Sequence, residues 1–194
     1  AKNLGYIYVD TGALYRTVAP SAQRNPVLGD TEKIPAILAS ISVELRFDEK
    51  GEQRVYLNSE DVSLFIRTPE ISMAASKVSQ IPAVREFLLE LQREIARKNN
   101  VIMDGRDIGT VVLPDADVKI FLFASPECRA ERRYKELIEK GEDVKYEDVL
   151  KDVNDRDYQD SHREIAPLKP TDDSIMADTT GKALEESVDM VVKM

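Results

Sequence analysis

Three short apolar runs in this chain stop abruptly at aspartate, and that habit limits what the chain can fold into. "YIYV" (6–9) runs into Asp10, "VIM" (101–103) into Asp104 and "SIMA" (174–177) into Asp178, while "VKIFLFA" (118–124) lacks the acid. Runs this short and apolar read as strands buried on both faces, the kind found in parallel sheets. Ligands of open α/β sheets sit just beyond the carboxyl ends of the strands, so acids at several such ends point to one shared site.

Helical patterns lie between these runs. In "PAVREFLLELQREIARK" (82–98), Val84, Phe87, Leu88, Leu91 and Ile95 make one apolar stripe, and Pro82 suits the first turn. "SPECRAERRYKELIEKG" (125–141) offers Ser125 as N-cap, Pro126 at the first helical position and Gly141 as a stop. The C-terminal "ALEESVDMVVKM" is a further amphipathic helix. Pro20 and Pro26 predict a kink or break in the helical pattern after Tyr15. Strands alternating with helices predict an α/β class. One segment differs: "ISVELRF" (41–47) alternates strictly, "RVYLN" (54–58) largely does, and Asp48-Glu49-Lys50-Gly51 connects them. That pattern predicts an antiparallel hairpin with one solvated face, within a small inserted subdomain at 35–80. The core is then residues 1–34 and 81–194.

A length of 194 residues with 42% hydrophobic content suffices for one domain with a proper core. Lys and Arg total 27 against 36 Asp and Glu, a formal charge of -9, which argues against a nucleic-acid partner. An anionic small ligand remains compatible, because clustered Arg inverts the field inside one cleft. Cys128 is the single cysteine and His162 the single histidine, so neither a disulfide within these residues nor a zinc site is expected. No apolar run approaches membrane-spanning length and no signal-peptide pattern opens the sequence, so a cytoplasmic protein without a membrane partner is expected. Nothing marks an interface, and a monomer is expected.

Four stretches carry candidate chemistry. In "DTGALYR" (10–16), Thr11 follows a strand end and Arg16 lies one to two turns into a helix, which suits a sugar hydroxyl and a phosphate. A helix cap with a surface Arg reads equally well. In "DGRD" (104–107), Gly105 permits close backbone approach and Arg106 can grip a phosphate. Asp107 can accept from an exocyclic amine, and Asp104 is placed to hold a magnesium-bound water. The competing reading is an Arg–Asp ion pair in a tight turn. Arg156, Asp160 and Arg163 in "NDRDYQDSHRE" (154–164) share one face if that segment is helical. A solvated stripe of ion pairs is the competing reading there, as for "RAERR" (129–133). Together the cations and strand-end acids describe phosphoryl transfer or binding, which is chiefly positioning and charge neutralisation.

These stretches, with "IRTPEIS", "ASKVSQIPAVRE", "DGRDIGTVVLPDADVKIFL" and "ADTTG", occur in an order and spacing that closely resembles bacterial-type cytidylate kinases over essentially the whole chain. The resemblance implies a P-loop nucleoside monophosphate kinase fold: a parallel sheet flanked by helices, an inserted CMP-binding subdomain and a helical lid at about 130–165. It implies transfer of the γ-phosphate of ATP to CMP or dCMP with Mg²⁺. By position it implies that Ser76, Arg85 and Asp107 read cytosine and that Thr11, Arg156 and Asp160 contact the sugar. Tyr15 joins them as a substrate-binding residue. Arg16, Arg106 and Arg163 clamp phosphate; Arg132 and Arg133 stand where the family's lid begins, with Arg133 placed to meet ATP. Thr179, Thr180 and Gly181 cradle the adenine edge. One departure stands out. No G-x-x-x-x-G-K-[ST] loop lies in the 194 residues, and Ala1–Gly5 reads as the end of the helix that should follow it. The expectation is that a strand and phosphate loop precede Ala1. A noncatalytic nucleotide-binding module, or a kinase for another small acceptor, is the alternative.

Overall fold

The computed structural model describes Ala1, residues 4–24, 34–50 and 52–194. These fall into two units, Ala1–Ile108 and Gly109–Met194.

In the first unit, β1 (Ile7–Asp10) leads directly into α1 (Thr11–Arg24). After α2 (Ile34–Ser40) come β2 (Val43–Phe47), β3 (Gln53–Leu57) and the two-residue β4 (Glu60–Asp61). Then follow α3 (Pro69–Val78), α4 (Pro82–Lys98) and β5 (Val101–Asp104). β1 and β5 are parallel with Asp10 opposite Asp104, so two of the expected strand-end carboxylates finish side by side. The expected hairpin is present: β2 and β3 are antiparallel from Val43↔Leu57 to Phe47↔Gln53. Its turn is tied by the Asp48 carboxylate, which accepts from the amides of Lys50 (3.0 Å) and Glu52 (2.9 Å). Gly51 and Pro26 lie outside the described residues.

One core serves this unit. Leu14 and Val18 of α1, Val43 and Val55 of the hairpin, Ala74 and Val78 of α3, and Val84 and Leu88 of α4 are all buried in it. Each large apolar side chain so buried stabilises the fold by about 1.5–3 kcal/mol. The stripe predicted on α4 holds: Val84, Leu88 and Ile95 are buried, while Phe87 and Leu91 pack partly buried against the cluster. The break expected at Pro20 does not occur, because α1 continues through it to Arg24. Val18, Ala19 and Pro20 are all buried, so packing on both sides outweighs the one backbone bond that proline removes.

A π turn at Ile108–Val112 spans the start of the second unit, which contains β6 (Ile120–Phe123), α5 (Pro126–Glu139), α6 (Tyr146–His162), β7 (Ile175–Asp178) and α7 (Leu184–Val192). β6 and β7 are parallel, ending at Phe123↔Asp178. Ser125 caps α5 by accepting from the Cys128 amide at 3.2 Å, and Gly141 follows the helix at φ 81°, as expected of the stop. Ala130, Leu137 and Val149 knit α5 to α6.

The strands are less buried than predicted. Tyr8 is 44% exposed, Leu122 59% and Met176 51%. Among the described residues each parallel pair has only two strands, so each of these four strands is an edge. No helix among the described residues is long and apolar enough to cross a membrane.

Candidate functional site

The junction of β1 with α1 and the end of β5 form the first cluster. Asp10 is both last strand residue and helix cap: its Oδ1 accepts from the Ala13 amide at 3.2 Å, which satisfies a donor of the first turn. Its Oδ2 accepts from the Arg16 guanidinium at 2.6 Å. Thr11 is buried, and its hydroxyl donates to the Asp104 carbonyl at 2.7 Å. The register that sets Asp10 opposite Asp104 puts that carbonyl within reach.

Gly105 answers the same crowding. A Cβ there would meet the Thr11 hydroxyl and come within 2.7 Å of Ile108 Cδ1, so any larger residue forces these side chains to shift. The Asp104 carboxylate is exposed and accepts from the Tyr8 hydroxyl at 3.0 Å. Burial, together with the negative charge of Asp104 and the hydrogen bond to it, pushes the Tyr8 phenol above its ordinary value.

Immediately after the exposed Arg106, Asp107 turns inward. Its Oδ2 accepts from Arg85 of α4, and the two side chains are only 8% and 10% exposed. Arg85 also donates to the Ser79 carbonyl at 3.0 Å and lies over the Tyr15 ring, 5.7 Å from its centroid. Ser79 in turn donates its hydroxyl to the Ser76 carbonyl at 2.9 Å, which links half-buried Ser76 to the pair. A carboxylate and a guanidinium beside an aromatic ring can recognise a planar polar heterocycle. The ring supplies a stacking face, and the charged pair supplies an acceptor and donors.

In the second unit, Arg156 and Asp160 of α6 and Arg163 just beyond it meet around one carboxylate. The Arg156 and Arg163 guanidinium nitrogens stand 4.0 and 3.9 Å from the Asp160 oxygens. Their common face was predicted for a continuous helix, but Arg163 is the C-cap, with extended backbone. Its Nε donates to the Ala166 carbonyl at 2.6 Å, and the Leu168 amide donates to the Asp160 carbonyl at 2.7 Å, so the chain folds back on the helix end.

Arg132 donates to the carbonyls of Thr179 (2.7 Å) and Lys182 (3.1 Å), bracing the loop that follows β7. Arg133 pairs with Glu136 at 3.1 Å along its own helix. Within the loop, the Thr179 amide and hydroxyl both donate to the Phe123 carbonyl, and the Thr180 hydroxyl accepts from the Ser125 amide. Gly181 adopts φ 71°, a left-handed conformation that favours glycine. The Thr180 hydroxyl and amide hold the Asp178 carboxyl below its ordinary value.

Four residues here were assigned no role by their sequence context. Tyr8 and Gln53 contact Asp104 and Asp10 respectively. Arg129 makes a two-point ion pair with Asp157 that joins α5 to α6. Their only sequence signal is polarity next to a motif. Among the described residues no three His, Cys, Asp or Glu side chains gather as a metal-ligand set.

Comparison with known proteins adds one consistent result. The cytidylate kinase family model matches residues 1–194. A cytidylate kinase of Lactobacillus johnsonii is 50% identical over 100% of this chain and 84% of its own length. One from Lactobacillus gasseri is 52% identical over 97% of this chain and 82% of its own. One from Carboxydothermus hydrogenoformans is 48% identical over 97% and 84%.

Proposed function

The chain belongs to the cytidylate kinase family, and from that premise we propose that it transfers the γ-phosphate of ATP to CMP or dCMP, giving CDP or dCDP. The observation that carries the acceptor assignment is the buried Arg85–Asp107 pair beside Tyr15. Asp107 accepts from the cytosine N4 amine, while Arg85 donates toward O2 or N3 with Ser76 beside it. Uracil would turn a carbonyl toward the carboxylate, leaving two acceptors face to face, and is rejected on that ground.

The remaining roles follow from the groups each side chain offers. Thr11, with its hydroxyl oxygen still an acceptor, Arg156 and Asp160 hold the sugar. Arg16, Arg106 and Arg163 neutralise phosphate. Arg132 and Arg133 serve the ATP side, with Thr179, Thr180 and Gly181 against the adenine. Segment 35–80 is the acceptor-binding part, and about 130–165 the lid. An oxygen of the acceptor phosphate is the nucleophile; its bond to the γ-phosphorus forms as the bond to ADP breaks, so no side chain is modified.

Mg²⁺ suits a site with few protein ligands, because it keeps several waters and takes one or two carboxylates. The exposed Asp104 carboxylate, steadied by Tyr8, fits holding it through water. When bound, the ion would supply charge neutralisation at the phosphates. ADP release coupled to CMP, measured on the full-length protein, tests the proposal. Release that is independent of CMP overturns it.

A further inference from the structure

Among the described residues, β1 has a strand on one side only, its parallel partner β5. At its last residue the other side is met by a side chain. The Asp10 amide donates to Gln53 Oε1 at 2.8 Å, and Gln53 Nε2 donates to the Asp10 carbonyl at 3.2 Å. A primary amide carries a donor and an acceptor side by side, so it pairs with both backbone groups of one residue, as a neighbouring antiparallel strand would. Gln53 is the first residue of β3, held opposite Phe47 in the hairpin. The clasp therefore fastens the hairpin to the residue from which the first cluster is built. The carboxylate of Asp10 holds Arg16, and Thr11, next in sequence, reaches Asp104.

We propose that Gln53 is a positioning residue for the acceptor nucleotide. By gripping the Asp10 peptide it sets the placement of Thr11 and Arg16, and it makes the position of the hairpin part of acceptor affinity. The proposal rests on the CMP kinase reading above. The residue type is specific. Glutamate would set a carboxylate oxygen against the Asp10 carbonyl, asparagine falls one methylene short, and methionine fills the space without either bond.

The test compares full-length wild type with Gln53→Met and Gln53→Asn, by steady-state kinetics and by amide hydrogen exchange at Asp10. Both substitutions are expected to quicken Asp10 exchange and raise the KM for CMP by about tenfold each, the size expected of one or two lost hydrogen bonds. The KM for ATP should stay within about twofold, since the clasp touches nothing assigned to ATP. Faster exchange with an unmoved KM for CMP reduces Gln53 to a structural brace and overturns the proposal. Unchanged exchange overturns the clasp itself. If Gln53→Met does not fold, Gln53→Asn carries the comparison. Absence of CMP-dependent turnover in wild type sinks the functional reading, and the proposal with it, while the exchange data still report on the clasp.

Discussion

Replacing Asp107 by leucine strands a charge. Arg85 and Asp107 are 10% and 8% exposed, so solvent screens their attraction little. In Asp107→Leu the Arg85 guanidinium keeps the Ser79 carbonyl and the Tyr15 ring, but it loses its carboxylate. Removing one partner of a buried pair costs about 3–5 kcal/mol. The two surviving contacts place the loss near the lower end, about 3 kcal/mol. The double variant Arg85→Met/Asp107→Leu removes both charges and should lose less than Asp107→Leu alone, because no unpaired charge is left. Urea unfolding of wild type, both single variants and the double variant closes the cycle. A loss below about 1 kcal/mol in Asp107→Leu would refute the reasoning, since that is the size of an exposed pair. A double variant worse than the sum of the singles would refute it equally.

Other perturbations test neighbouring parts. Gly105→Ala drives a methyl group against Thr11 and Ile108, 2.7 Å from Cδ1 of the latter, and should cost about 1–3 kcal/mol in the same unfolding assay; a neutral result would mean that the strand ends yield easily. Tyr8 has a folded value raised above its ordinary 10.0, so its stabilising share is complete below that pH and lost as pH rises beyond it. Stability of wild type should therefore fall more steeply above about pH 10 than that of Tyr8→Phe, and parallel pH profiles would contradict this. Arg132→Ala frees the carbonyls of Thr179 and Lys182 and should raise the KM for ATP about fivefold while quickening exchange in residues 179–182; an unchanged KM separates this loop from ATP.

What could be read from sequence is what local chemistry controls. The strand ends at Asp10, Asp104 and Asp178 appear where the apolar runs stop, and the Asp48 turn appears where the alternation pauses. Ser125 and Gly141 bound α5 because a cap and a positive φ are local demands. The pairing of Arg85 with Asp107 joins residues 22 apart in sequence, and no periodicity reports it; the resemblance had only named both. Gln53 was hidden more deeply. It opens a strand on a solvated hairpin, and its role exists only once Asp10 is brought beside it, 43 residues away in sequence. Pro20 does not end its helix for the converse reason, since burial around it outweighs a local preference.

The most direct measurement is the ratio of kcat/KM for CMP to that for UMP, with ATP and Mg²⁺, on the full-length protein. A carboxylate and guanidinium that read the cytosine edge predict a preference for CMP of at least about a hundredfold. Equal turnover of CMP and UMP would contradict the assignment of Arg85 and Asp107 to the base.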